Sequence, residues 1–526
     1  MAAAVPTDHD TLSDPRVRTW LPDPSHYPEQ LTPLSATVWL EAIGIGLHQA
    51  LRELRGPFPG FVGRTHLGWA YEGELPLEWE PDPEAMRAAA AGIEHTWTTR
   101  IEPRVRAITA ELHHLRPERG DAREAAAALQ RMWELVVEQW VLHFHAVVPA
   151  QFAIEEFTDR YVARFGAGDP LAPYRLLQGS SNESLVADRQ LLALAQEARD
   201  LGVADIVAAF PPETVTDRLR ELHHGRMFLH SLDGYLLRYG GRSRWHELSV
   251  PRECERPEMT FQSMRLFLAG DHSPHGEPSR GRPPEGPAGE AHLVAEAPEI
   301  ADVLAAARAA YALKESHVYH IDYPGLLATR EVLLGFGRRL LAEGALRELD
   351  DMWLLTRGEL LGLVTGESDV DIAVLLAARR AELQRGAVEG VRPHLGEAPD
   401  SAEQHAVLQK FYGSSGRAAT SRSLQGSGAA PGVVDGVARL VKAPADFDRV
   451  RPGDVLVALT TTPAWTPLFP SLSGLVTETG GILCHAAIVA REYGIPAVVG
   501  ASEATRVIPD GARVRVDGGT GRVEVL

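Results

Sequence analysis

The sequence predicts a multidomain protein, with a large, mainly α-helical domain followed by a small α/β domain. Three observations carry this. The chain has 526 residues, more than one hydrophobic core ordinarily serves. Apolar residues recur at helical spacing over most of the chain up to about residue 411. Beyond about residue 429 the pattern changes to short β-branched runs ("GVARLV", "DVLVAL", "GLVTE", "PAVVG", "RVRVDG", "RVEVL") cut by Gly, Pro and Asp turns.

The elements follow in order. The first 80 residues are rich in Pro, Trp and Gly and read as loops and short strands around one helix, Ser35 to Leu54. "PDPEAMRAAAAGIEHTW" opens a helix, with Asp82 as its cap and Pro83 in the first turn, where a missing N–H costs nothing. A helix from Asp121 to about His145 carries Ala125, Leu129, Met132, Trp133, Val136, Val137 and Trp140 at helical spacing. Residues 271–292 are dense in Pro, Gly and charge and are expected as a disordered loop. Helices are expected again from Pro298 to about Phe411. The Ser/Gly-rich stretch Tyr412 to Gly428 is expected as a flexible linker between a domain of residues 1–411 and one of residues 429–526. In the latter one helix, "HAAIVAREYG", interrupts the strands, with Gly494 at its C-terminal stop.

Composition narrows the function. A hydrophobic share of 44% and a charged share of 23% fit a globular enzyme. The formal charge of −19 argues against a nucleic acid or an anionic membrane as partner. No apolar run reaches the roughly 18 residues a membrane helix needs. The start has no basic segment followed by an apolar one, so no signal peptide is expected. Two distant cysteines, Cys254 and Cys484, form no metal-ligand pattern and fit a reducing cytoplasm. The only lysines are Lys314, Lys410 and Lys442, and no GxxxxGK[ST] loop occurs, so the chain alone is expected to bind neither ATP nor a metal.

"TETGGILCHAAIVAREYGIPAVVG", Thr477 to Gly500, holds the central candidate, His485. It is placed at the first turn of a helix, after Thr479 and the diglycine Gly480–Gly481, whose amides suit a phosphate dianion. A neutral imidazole there serves as a nucleophile or a base; the alternative is a histidine that caps a helix or fills a gap. The surroundings decide between them. "APGVVDGVARLV", "FDRVRPGDVLVA", "TTPAWTPLFPSLSGLVTETGG", "CHAAIVAREYGIPAVVG" and "IPDGARVRVDGGTGRVEVL" resemble the swivelling phosphohistidine domain of the phosphoenolpyruvate-utilising enzymes over its whole length. The resemblance implies that His485 receives and carries a phosphoryl group, with Thr479, Gly480, Gly481 and Arg491 as phosphate or backbone support. Leu483 stands where many members have threonine, as it does in rifampicin phosphotransferase-like members.

The remainder resembles the substrate domain of those proteins through "DPSHYPEQLTPL", "LLQGSSNESLVADRQLLALA", "LLRYGGRSRWHELSVPRECERPEM" and "GFGRRLLAEGALRELDDMWLLTRGEL". It implies a role for His26 and for Glu315, the latter as a carboxylate that takes a proton from an acceptor hydroxyl; a helix-surface charge pair is the alternative for Glu315. His317 lies beside it. Arg242, His143 and His145 are candidate substrate-binding residues, the two histidines facing different directions on one helix. Gly241 stands where the family often has a histidine. The nucleotide-binding domain that normally precedes this region is not seen in the sequence. The expectation is a phosphotransferase component: His485 is loaded by a separate ATP-grasp-type subunit with ATP and Mg²⁺ and delivers to a hydroxyl of a small organic molecule. The alternatives are a lyase or dehydratase in which His485 acts as acid/base without nucleotide, phosphorylation followed by elimination, and a non-catalytic binding protein.

Overall fold

A computed structural model describes residues 14–179, 182–243, 246–269, 296–398, 423–442 and 444–526. The loop expected at 271–292 and the first part of the expected linker, 412–422, lie outside them. The contacts divide the chain into two compact units, which do not follow the expected boundary at 411. The first unit contains Met1–Pro149, Trp245–Val250 and His320–His405; the second contains Ala150–Arg244, Pro251–Tyr319 and Ala406–Leu526.

In the first unit, strands β1 (Thr19–Pro22), β2 (Phe61–His66), β3 (Trp69–Glu74) and β4 (Leu395–Gly396) form a sheet of order β2-β3-β1-β4. The helix expected at Ser35 to Leu54 runs from Pro33 to Leu54, with a π-helical turn at Ala36–Leu40 that the apolar spacing does not reveal. It packs closely: a Cβ on Gly46 would lie 2.5 Å from the Trp140 Cβ. Asp82 caps Pro83–Ala91 as expected, its Oδ1 accepting from the Glu84 and Ala85 amides at 3.1 and 3.0 Å.

The helix expected to end near His145 instead runs from Ala122 to Phe165. Pro149 lies inside it and is where the two units divide the chain. Proline removes one helical hydrogen bond, but Ala146, Val148, Ala150, Ala153, Ile154 and Phe157 are buried on both sides of it, and this packing outweighs the missing bond.

The second unit joins helices Glu183–Asp200, His223–Tyr239, Glu258–Ala269 and Ala301–His317 to an eight-stranded sheet. Its strands are β5 (Ser423–Gln425), β6 (Ser427–Ala430), β7 (Val433–Leu440), β8 (Val455–Ala458), β9 (Gly474–Thr477), β10 (Ala497–Val499), β11 (Arg513–Asp517) and β12 (Arg522–Val525). Their order is β5-β12-β11-β7-β8-β9-β10-β6, with β7 to β10 parallel and the other pairings antiparallel. Strands β8 and β9 are buried at every residue, as central parallel strands must be when both faces are covered. Residues Ser423 to Gly428, expected as the end of the linker, belong to β5 and β6 except for Gly426 between them, because Leu424 packs into the sheet core and β6 completes the edge beside β10. The last described helix before the C-terminal sheet is Ile372–Glu389, so the helical reading to Phe411 is met only to that point.

Candidate active site

His485 is the first residue of helix His485–Tyr493, which ends at Gly494 with φ 66°. The loop before it is built for a tight approach. Gly480 takes φ 104°, which a side chain disfavours, and a Cβ there would meet the Cys484 Sγ at 2.9 Å. Thr479 is tied to the strand layer: its amide and its Oγ1 both donate to the Leu459 carbonyl, at 2.9 and 3.0 Å. Arg491, one helix face along, is buried. Its guanidinium donates to the carbonyls of Ile482 (2.7 Å) and Ala429 (2.9 Å) and to the Tyr311 hydroxyl (3.2 Å). Arg491 thus pins the loop that carries the histidine to β6, a backbone-supporting position.

His485 Nδ1 lies 2.8 Å from Glu315 Oε2, within the second unit, and the two side chains are 9% and 4% exposed. The same oxygen accepts from the Ser184 hydroxyl at 3.1 Å. A carboxylate with two donors on one oxygen fixes the ring: Nδ1 carries the proton and Nε2 carries the lone pair. Nε2 lies 3.4 Å from the Thr466 Oγ1, and the Phe469 ring stands edge-on at 6.0 Å. Glu315 is therefore no surface charge. Its carboxylate faces the imidazole and the Ser184 hydroxyl.

Lys314, the neighbour of Glu315, is half-buried. Burial pulls its pKa down to about 8, against the opposing pull of Glu155 and Glu315. It has no hydrogen bond or ion pair among the described residues. Burial pushes the Cys484 thiol up to about 11, so it is an inert thiol beside the histidine rather than a nucleophile.

The other candidates are distributed. His317, in the second unit, has its Nδ1 3.2 Å from the Leu313 carbonyl. Arg242, also there, is fully buried on Glu253 and the Tyr235 hydroxyl, both at 2.8 Å. In the first unit His26 pairs with Asp23 (2.8 Å) and lies parallel to His246. His143 pairs with Asp322 (2.7 Å) and His145 with Glu53 (2.8 Å), so the two do face different ways. Sequence reasoning missed Ser184 and Thr466 as neighbours of Glu315 and His485. The "NES" signal marks a helix start, which Asn182 supplies, but says nothing of a partner 131 residues away.

Residues 450–521, which contain this loop and helix, match the mobile domain of the PEP-utilising enzymes. The chain carries that domain. Residues 143–320 match the fourth domain of rifampicin phosphotransferase, and the two matched segments fall almost wholly within the second compact unit. Among curated relatives, the chondramide synthase of Chondromyces crocatus is 30% identical over 96% of this chain. A rifampicin phosphotransferase of Streptomyces sviceus is 30% identical over 62% of it, and an uncharacterised phosphotransferase of Bacillus subtilis 27% identical over 77%. The chain spans 14%, 37% and 49% of the length of these three proteins, respectively. No described helix is long and apolar enough to cross a membrane.

Proposed function

We infer that this chain is a phosphotransferase component that carries a phosphoryl group on Nε2 of His485 to a hydroxyl of a small organic acceptor. The observation that carries this reading is the 2.8 Å pairing of Nδ1 with Glu315, which leaves Nε2 as the nucleophile at the start of a helix. In the loading step the Nε2 lone pair attacks the donor's phosphorus and the nucleoside phosphate leaves with its bonding electrons. The ring then bears a positive charge, since Nδ1 keeps its proton, and the Glu315 carboxylate offsets it. In delivery the acceptor oxygen bonds to phosphorus, the P–N bond breaks, and its electron pair returns to Nε2. That nitrogen is then the base that takes the acceptor's hydroxyl proton. The amides at the helix start and the Lys314 ammonium are the groups available to the phosphoryl oxygens. ATP and Mg²⁺ are assigned to a separate nucleotide-binding component of ATP-grasp type, and the setting to the cytoplasm.

A general base needs the same tautomer, so a lyase or dehydratase acting through His485 is the second reading. Intact mass separates the two. Incubation with ATP, Mg²⁺ and the nucleotide-binding component is expected to add one phosphoryl group, lost in His485→Ala. Turnover of an acceptor with no nucleotide present would overturn the carrier.

A further inference from the structure

The last turn of the histidine helix is held by two carboxyl groups that make no ion pair among the described residues. Asp188, on helix Glu183–Asp200, is 3% exposed; its Oδ2 accepts from the Tyr493 hydroxyl at 2.8 Å, while Oδ1 is buried without a partner among the described residues. Glu492, one residue away on the histidine helix, accepts from the Gly179 amide at 3.2 Å through Oε2, and its Oε1 is likewise buried and unpartnered. The Gln178 amide donates to the Arg491 carbonyl beside them. These contacts, with the His485–Glu315 pair, join the C-terminal domain to the helices of the second unit.

No cation makes an ion pair with either carboxyl among the described residues; the charges that face them act from a distance. Arg242, the cation felt at Asp188, holds Glu253, and the Tyr235 and Tyr319 hydroxyls face it as neutral groups. Arg189 is felt at Tyr493. At Glu492 the neighbouring charges are Arg491, whose guanidinium is on two carbonyls and Tyr311, and the like-charged Glu315. An ionised carboxylate buried with one hydrogen bond and no counter-ion is strongly disfavoured; a protonated one is not.

We propose that Asp188 and Glu492 form a proton-dependent latch that holds the phosphohistidine domain in the His485–Glu315 pose, so that taking up protons seats the carrier and losing them releases it. The latch rests on the reading of the C-terminal domain as a moving carrier. Burial raises both carboxyls from 3.8 and 4.5 to about 7 in the seated state. Their raised values mean that the seated state binds the extra protons. Seating is therefore strongest in acid, weakens as pH rises from the ordinary carboxyl range to about 7, and is flat above that. Between pH 6 and pH 8 the seating constant should fall about tenfold per carboxyl, or about a hundredfold for the pair.

The test is single-molecule energy transfer between dyes at Leu237→Cys and Arg513→Cys, both exposed, in a Cys254→Ser, Cys484→Ala background of the full chain. The wild-type seated population is expected to fall from pH 6 to pH 8. Asp188→Asn and Glu492→Gln, which mimic the protonated forms and keep the hydrogen bonds, should each remove about half of the pH response, and together abolish it, with the seated state retained at pH 8. Circular dichroism checks that each variant folds. A population that does not change with pH, or a pH response that survives in the double variant, overturns the latch. Neither result depends on phosphorylation of His485, so the latch and the carrier chemistry fail separately.

Discussion

His485 and His143 are held alike and placed differently. Each has Nδ1 on a carboxylate, at 2.8 Å from Glu315 for the half-buried His485 and 2.7 Å from Asp322 for the buried His143. His485 begins a nine-residue helix after a glycine turn; His143 sits inside a 44-residue helix, with the rings of Trp140 and Phe144 centred 4.6 and 4.8 Å from its own. A carboxylate behind a histidine selects a tautomer in both places. Only the helix start adds backbone amides and the positive end of a helix dipole, which favour an incoming anion. The chemistry is thus assigned by the element that carries the ring, not by its ion pair.

The sharpest test of this contrast is substitution of each ring. His485→Ala is expected to abolish phosphoryl incorporation as read by intact mass, whereas His143→Ala should still be labelled. Labelling that vanishes in both would erase the distinction. Next in size is Glu315→Gln, which keeps the shape but weakens the hold on Nδ1 and the charge behind it. Single-turnover phosphorylation should slow on the order of 10²–10⁴-fold, without loss of folded protein. Asp322→Asn should leave that rate unchanged.

Lys314 gives a smaller effect with a sign. Its ammonium loses its proton as pH rises through about 8, so transfer that uses its charge should decline above that pH. Lys314→Arg is expected to extend the plateau to higher pH, and Lys314→Met to give a low rate with no such decline. A wild-type profile flat to well above pH 8 removes Lys314 from the site. The smallest effect on activity is that of His143→Ala, which should instead cost about 1–3 kcal/mol of stability in urea denaturation, because Asp322 loses a buried partner.

The contrast also marks what a sequence makes legible. The helix that begins at His485, the strands around it and the Asp82 cap are local matters of glycine, β-branched runs and one capping oxygen, and they read directly. Helix Ala122–Phe165 extends past the expected end near His145, and its continuation through Pro149 rests on buried neighbours on both sides that local spacing does not record. The partners of His485 are hidden for a different reason. Glu315 lies 170 residues away, and Ser184 reaches that same carboxylate from a third segment. No periodicity records such a meeting. Family resemblance pointed to Glu315, yet its geometry, facing the imidazole, needed the fold.

Cys484 follows from the same packing. Its half-buried thiol packs against the loop of Gly480, and burial, with the Glu315 carboxylate nearby, holds it above ordinary thiol acidity. Any departure of the domain that opens this loop to water returns the thiol toward ordinary acidity and to attack by alkylating agents. Under the proposed carrier reading, the residue next to His485 is therefore a built-in clock: its labelling rate would count the time the domain spends away from its seat, with no dye added.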